Sequence, residues 1–232
     1  MELELKKECL DTYELGEPQT LTQEETAETI VPDYCPDIAR IISAEGVVCL
    51  HGGTEQDGVT GTVRVTVLYT PENESGVRAL EFAMPFSAQG EGLAGCAHVV
   101  VETEIELLES RMLNPRKIFT RCKLVTHLAG CRKVCLTISS DAETDPALLV
   151  EKRCCGQTVS LLRQVAEKDL TFSETMSLSL GREGAAELLH CRANGIVTET
   201  KAIGNKLIFK GVFLVSALYR TIGGQLASAS AE

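Results

Sequence analysis

Two stretches of the chain that lie 150 positions apart carry nearly the same pattern. Residues 61–69 read GTVRVTVLY, and residues 211–219 read GVFLVSALY. In both, a glycine opens a run of alternating apolar residues that closes on leucine and tyrosine. An alternation with a period of two is typical of a β-strand that buries one face. The chain therefore uses the same kind of strand twice, and this constrains its fold more than any other feature.

Three further pairs of segments keep the same order along the chain, which favours a repeat over coincidence. Their offsets drift slowly between 145 and 149 positions, as small insertions would cause. We predict two copies of one β domain, residues 1–145 and residues 146–232. The second copy is expected to be truncated, and the chain to be part of a longer protein, because the last strand breaks off within a hairpin. The three pairs are residues 44–48 with 193–197, residues 38–43 with 185–190, and residues 3–9 with 148–154.

The remaining alternating runs are separated by turn signals such as Asn114-Pro115, and they predict further antiparallel strands. Only residues 35–44 and 182–191 have apolar spacings that suggest a helix. The predicted fold is mainly β, with antiparallel sandwich-like repeat domains and one short helix in each. The expected core of the first domain is Ile38, Ile41, Ile42, Val47, Val63, Val65, Val67, Leu68, Phe82, Phe86, Ile105 and Leu124.

Composition and charge argue against several classes of function. The formal net charge is −11, and many of the acidic residues fall within the first 37 positions. Nucleic acids and anionic membranes require basic patches, so neither is an expected partner. No run of 18 or more apolar residues suggests a membrane span, and the first residues lack the apolar core of a signal peptide. We therefore expect a cytoplasmic protein.

The ten cysteines, in a chain without a secretion signal, are expected to be reduced thiols. His127, Cys131 and Cys135 are weak candidates for a metal site, because their spacing differs from that of structural zinc sites. Cysteines outside the clearest strands are candidates for oxidative crosslinks between chains. No catalytic motif is present, and we predict neither catalytic residues nor a cofactor. The crosslink candidates are Cys9, Cys35, Cys154 and Cys155.

Several stretches together resemble the SPOCS-domain family, which is found in clostridial spore-coat morphogenetic proteins such as SipL. Residues 31–46, VPDYCPDIARIISAEG, resemble the entry motif of that family, and residues 61–69 resemble its central strand. Residues 84–87, MPFS, and residues 108–125, LESRMLNPRKIFTRCKLV, resemble two later segments. The resemblance covers nearly all of residues 1–140 and, more weakly, residues 148–222.

This resemblance implies a non-enzymatic structural module that acts through protein–protein contacts in spore-coat assembly. It implies a location in the mother-cell cytoplasm, at the forespore surface. The implied partners are other spore-coat morphogenetic proteins, and a SpoIVA-like ATPase reached through a C-terminal LysM module that these 232 residues do not contain.

The candidate partner-binding surfaces are the loop VPDYCPD and the turn NPRK. Turn chemistry that only positions neighbouring elements would explain both stretches equally well. The alternative function is a metal- or small-ligand-binding β protein that uses Cys and His side chains. The candidate partner-binding residues are Pro32, Asp33, Pro36, Asp37, Asn114, Arg116 and Lys117.

Overall fold

A computed structural model describes residues 4–51, 58–143 and 183–232, together with residues 151, 153, 156, 158–165, 171 and 173–179. Within these residues the regular secondary structure is entirely β, which confirms the predicted mainly β class, and all strand pairs are antiparallel. The predicted domain boundary at residue 145 and the Cys154-Cys155 pair lie outside the described residues. The described strands are β1 (Glu4–Leu15), β2 (Gln19–Ile30), β3 (Ile38–His51), β4 (Gly58–Pro71), β5 (Arg78–Gln89), β6 (His98–Asn114), β7 (Lys117–Glu143), β8 (Ala185–Ile203), β9 (Lys206–Thr221) and β10 (Leu226–Ala231).

The long strand β7 organises the first sheet. One of its edges pairs with β6, and the other is divided between two strands. β2 pairs with the first part of β7, from Lys117 to Leu128, and β1 pairs with the rest, from Cys131 to Glu143. The 27 residues of β7 are therefore long enough to carry two strands end to end along one edge.

A second sheet, β3–β4–β5, packs against the first to form a two-layer sandwich. β3 lies along β6 and β5 lies along β2, so the two sheets meet at both sides. The alternation in β4 sends one set of side chains inward, and these residues are almost completely buried. The main core cluster is Val31, Ile38, Val63, Val65, Val67, Tyr69, Leu80, Met84, Phe86, Ile118, Cys122 and Leu124.

The prediction of a short helix in each half is wrong. The segment from Ile38 is the start of β3, and the segment from Ala185 is the start of β8. β3 shifts register between Ile38 and Arg40 and again between Ile41 and Ser43. Each bulge inserts one residue, so inward-facing positions are spaced by three instead of two. That spacing resembles the apolar period of a helix.

One of these bulges and the ordinary alternation of the strands explain the errors in the predicted core. Ile42 is 51% exposed because the bulge between Ile41 and Ser43 turns its side chain outward. Val47 is 56% exposed because it alternates with Val48, which packs against the core. Leu68 alternates with the buried Val67 and Tyr69 and therefore lies on the other face of β4. Phe82 and Ile105 are partly buried against the core, and the other seven expected residues lie in or against it.

A third sheet, β8–β9–β10, has the same strand order as β3–β4–β5. Tyr69 on β4 pairs with Ile41, and Tyr219 on β9 pairs with Leu188. The register shifts at 185/187 and 188/190 in β8 fall 147 positions after those at 38/40 and 41/43 in β3. The ladder keeps this offset of 147 up to Val197, opposite Gly211. The sequence comparison matches Gly46 with Gly195, at an offset of 149. In the strand pairing, however, the position equivalent to Gly46 is Ala193, two residues earlier.

The glycines that open the two similar strands occupy crowded places. A methyl group on Gly61 would lie 2.5 Å from the Phe86 ring and 2.9 Å from the carbonyl oxygen of Cys49. A methyl group on Gly211 would collide with the carbonyl oxygen of Ile196 on the neighbouring strand. At both positions the obstacle includes backbone, which cannot rotate away as a side chain can. Close approach of the facing strand therefore requires glycine at both positions.

Gly61→Ala is expected to lower the free energy of unfolding by about 1–3 kcal/mol, the usual range for overpacking a core. Chemical denaturation monitored by circular dichroism would measure the change. Gly156→Ala is the matched control, because a methyl group there would meet no atom within 4 Å. Equal stability of the two variants would contradict the steric explanation.

Candidate functional site

The two stretches that the sequence proposes as partner-binding surfaces form one site at one end of the sandwich. The loop between β2 and β3 spans residues 31–37, and the turn between β6 and β7 spans residues 114–117. The amide of Val31 donates to the carbonyl of Arg116 at 2.9 Å, and the amide of Ile38 donates to the carbonyl of Pro115 at 2.9 Å. Both ends of the loop are thereby hydrogen-bonded to the turn.

The Arg116 guanidinium hydrogen-bonds several groups of the loop between β2 and β3. Nη1 donates to the carbonyl of Cys35 at 2.7 Å and to Oδ1 of Asp37 at 3.0 Å. Nη2 donates to the carbonyl of Val31 at 3.0 Å and to Oδ1 of Asp33 at 3.1 Å. Four charge-assisted hydrogen bonds from one planar group fix the positions of both carboxylates and of the backbone between them. We call Arg116 and these four acceptors the arginine staple.

Tyr69 lies beneath the loop and contacts it through its hydroxyl. Its side chain is fully buried at the end of β4, and its hydroxyl donates to the carbonyl of Pro36 at 3.3 Å. Burial, together with the neighbouring Cys35 thiol, raises the pKa of Tyr69 to about 12. The hydroxyl therefore remains a neutral donor at all physiological pH values, and the loop rests on the core of the sandwich.

The remaining predicted residues complete the turn chemistry. The amide of Cys35 donates to the carbonyl of Pro32 at 2.9 Å and closes a tight turn. The side chain of Asn114 accepts a hydrogen bond from the amide of Arg116 at 2.9 Å. The Lys117 ammonium lies 2.5 Å from a carboxylate oxygen of Glu28 on β2. The structure thus brings all seven predicted residues together, and it engages the cationic side chains within the chain.

Two exposed apolar side chains lie beside this staple, and the sequence did not single them out. Tyr34, at the tip of the loop, is 87% exposed, and Ile30, at the end of β2, is 72% exposed. Asp33 lies next to Tyr34 with its side chain fully in solvent. The only sequence signal for Tyr34 is its position between two prolines in a loop. We call Ile30, Asp33 and Tyr34 the loop patch.

The weak metal candidates do not converge. His127, Cys131 and Cys135 all lie on β7, where residues four apart are separated by about 13 Å, too far for ligands of one ion. His127 instead hydrogen-bonds the hydroxyl of Thr20 at 3.0 Å, and Cys135 forms a disulfide with Cys9. Among the residues that the structure describes, no group of three or more His, Cys, Asp or Glu side chains is arranged to hold a metal ion.

A groove of about 990 Å³ is lined by residues of β3, β4, β5 and β6 and of the neighbouring strand β8. Nε2 of His190 on β8 is buried and lies 3.2 Å from a carboxylate oxygen of Glu45 on β3, but without the alignment of a hydrogen bond. Next to the groove, Glu187 accepts from Arg78 at 3.2 Å and from Arg220 at 2.6 Å. The groove is lined by charges of both signs, so its field favours neither an anion nor a cation. Its charged and titratable lining includes Glu45, Arg64, Glu81, His190 and Arg192.

Comparison with known proteins yields no family model, no curated protein and no solved structure that matches this chain. In the described part of the chain there is no helix long and apolar enough to cross a membrane.

Proposed function

We propose that the chain is a non-enzymatic interaction module that binds partner proteins through the loop patch. The observation that carries this proposal is the combination of an exposed tyrosine with a loop that the arginine staple holds in place. Exposed aromatic side chains at protein surfaces often anchor a partner, and tyrosine is enriched among the residues that dominate binding energy. A loop that is already ordered loses little conformational entropy when it binds.

The chemistry of the loop patch indicates the kind of partner. Tyr34 and Ile30 offer apolar area, and the Asp33 carboxylate beside them offers a negative charge at the rim. Because Arg116 and Lys117 are engaged within the chain, an acidic partner would have to displace Asp33, Asp37 or Glu28. A surface with an apolar pocket and a basic rim fits better.

We further propose that the chain contains one complete β domain, residues 1–145, and part of a second copy, residues 146–232. The support is the shared strand order, the matching register shifts in β3 and β8, and the equivalent ladder positions of Tyr69 and Tyr219. Repeated domains on one chain would increase the effective concentration of binding surfaces.

The biological setting that we propose is assembly of the spore coat, in the mother-cell cytoplasm at the forespore surface. The support is the resemblance of residues 31–46, 61–69, 84–87 and 108–125 to the SPOCS-domain family. The partners are then other coat morphogenetic proteins, with a SpoIVA-like ATPase engaged through a LysM module outside these residues.

Imaging of a fluorescent fusion of the full-length protein in the sporulating source organism tests this proposal. We expect a ring around the forespore, and we expect Tyr34→Ala to weaken the ring while the purified variant keeps its melting temperature. Loss of an aromatic anchor typically weakens binding about 30-fold or more. Phe209→Ala, at another exposed aromatic residue, is the control. A diffuse signal for the parent protein would refute the coat role, and an unchanged ring for Tyr34→Ala would refute the loop patch.

The groove beside His190 is the observation that favours the alternative function, binding of a small ligand. Ligand-observed NMR against mixtures of amino acids, nucleotides and sugar phosphates would test it. A bound compound whose signal disappears with His190→Ala would support this alternative. Absence of binding from all three mixtures would remove it.

A further inference from the structure

Cys9 and Cys135 are joined by a disulfide that links the first strand to the last part of β7. Cys9 lies opposite Thr137 and Cys135 lies opposite Asp11, so the two cysteines are diagonal neighbours on an antiparallel ladder. Their Cα atoms are 5.7 Å apart, within the range that a disulfide spans without backbone movement. The expectation that all ten cysteines are reduced thiols is therefore wrong for this pair, and the expected crosslink of Cys9 to a different chain is replaced by a bond within one chain.

This pair forms the disulfide found among the cysteines that the structure describes. Both members lie at exposed positions, where oxidants and thiols can reach them. Cys122, in contrast, is fully buried, and burial raises its pKa to about 11, so that its thiol is unreactive. The other described cysteines, which are unpaired, are Cys35, Cys49, Cys96, Cys122, Cys131 and Cys191.

The strand that the disulfide holds is only weakly anchored by burial. The side chains of β1 do not alternate regularly between buried and exposed positions. Leu5 and Leu15 are both about half exposed. Its strand partner is the end of β7, which itself carries the exposed side chains of Leu136 and Ile138. With little apolar area buried, the β1–β7 ladder depends mainly on backbone hydrogen bonds, and a covalent link between the strands should add much to its stability.

β1 also makes a contact with a distant part of the chain. The amide of Tyr13 donates to the carbonyl of Leu162 at 2.8 Å, and the hydroxyl of Thr12 donates to the same carbonyl at 3.1 Å. Leu162 follows the predicted boundary at residue 145. If β1 separated from β7, the hydrogen bonds of Thr12 and Tyr13 to Leu162 would also be affected.

We propose that Cys9 and Cys135 form a reversible redox clamp that fastens β1, and with it the Leu162 contact, to the sandwich. The oxidant is a small disulfide such as oxidised glutathione. One cysteine thiolate attacks it, forms a mixed disulfide and releases one reduced glutathione. The second cysteine thiolate then attacks the protein sulfur of the mixed disulfide and releases the second glutathione. The two thiols lose two electrons and two protons in total, and glutathione disulfide gains them.

Equilibration of the whole chain in glutathione buffers of increasing oxidation, followed by alkylation and peptide mapping, tests the proposal. We expect one intramolecular link between Cys9 and Cys135 that disappears on reduction. The oxidised protein is expected to melt on the order of 10 °C higher than the reduced protein, because the bond closes a long loop. Amides of β1 should exchange with solvent faster in the reduced protein.

Cys9→Ser and Cys135→Ser should each abolish the difference in melting temperature between oxidising and reducing buffers. Cys191→Ser, at an exposed unpaired cysteine, should retain it. Mapping of Cys9 to any other cysteine, or to a second chain, would overturn the proposal. A redox-dependent melting temperature that persists in Cys9→Ser would overturn it too, and peptide mapping of each variant does not depend on its stability.

Discussion

Replacing Arg116 with alanine should lower the free energy of unfolding by about 2–4 kcal/mol and the melting temperature by about 5–10 °C. The change removes four hydrogen bonds, two of them to the carboxylates of Asp33 and Asp37. It also leaves the carbonyls of Val31 and Cys35 without their donors. The lower half of the range applies if water compensates for most of the lost contacts, since Arg116 is one-third exposed and Asp33 is fully exposed.

Arg116→Lys should recover less than half of this loss. A lysine ammonium is a point charge with three donors, whereas the staple needs a planar group that reaches four acceptors at fixed angles. Arg121→Ala is the matched control, because Arg121 on β7 makes an exposed ion pair with Glu24 on β2. That control should shift the melting temperature by about 1 °C or less. If Arg116→Ala shifted the melting temperature as little as this control, the arginine staple would not be what stabilises the loop.

The same variant should weaken partner binding through the loop patch, even though Arg116 itself does not face a partner. Without the staple the loop samples several conformations, and Tyr34 must be ordered again at each binding event. Arg116→Ala should therefore lose affinity together with stability, whereas Tyr34→Ala loses affinity alone. This distinction separates a residue that positions the loop patch from one that makes the contact.

The features that could be predicted from the sequence are those that depend on neighbouring residues. The alternation of β4 and the turn at Asn114-Pro115 are local, and both predictions are confirmed. The bulges in β3 lie where Ile38 and Ile41 meet β4, and residues 35–44 were wrongly predicted as helical. A bulged strand and a short helix share an apolar spacing of three, and only the pairing partner distinguishes them.

Features that depend on contacts distant in sequence could be predicted only in part. The two stretches of the arginine staple were recognised separately, but their meeting depends on the pairing of β2 with β7. The exposure of Tyr34 follows from that meeting and has no local signal. The Cys9–Cys135 bond joins residues 126 positions apart, and with ten cysteines the pairing could not be deduced from spacing.

Tyr69→Ala should have the largest effect of any single substitution proposed for the sandwich, a loss of about 3–5 kcal/mol. The side chain is fully buried among core residues of both sheets, and truncating it leaves a cavity beneath the loop. Tyr69→Phe keeps the ring and removes only the hydroxyl that donates to Pro36, so it should lose about 1 kcal/mol. Chemical denaturation of the two variants separates the packing of the ring from the hydrogen bond.

Tyr219→Ala extends this comparison to the proposed domain organisation. Tyr219 is also buried and occupies the equivalent ladder position on β9. If the two halves are separate copies, Tyr69→Ala should speed amide exchange in β3, β4 and β5, and Tyr219→Ala should speed it in β8, β9 and β10. Contacts between the described parts of the two halves, among them Arg78 to Glu187, Glu45 to His190 and Tyr13 to Leu162, would transmit only part of either effect. Equal loss of protection in both sheets from either substitution would instead identify one cooperative unit, in which the similar strands β4 and β9 do not belong to separate domains.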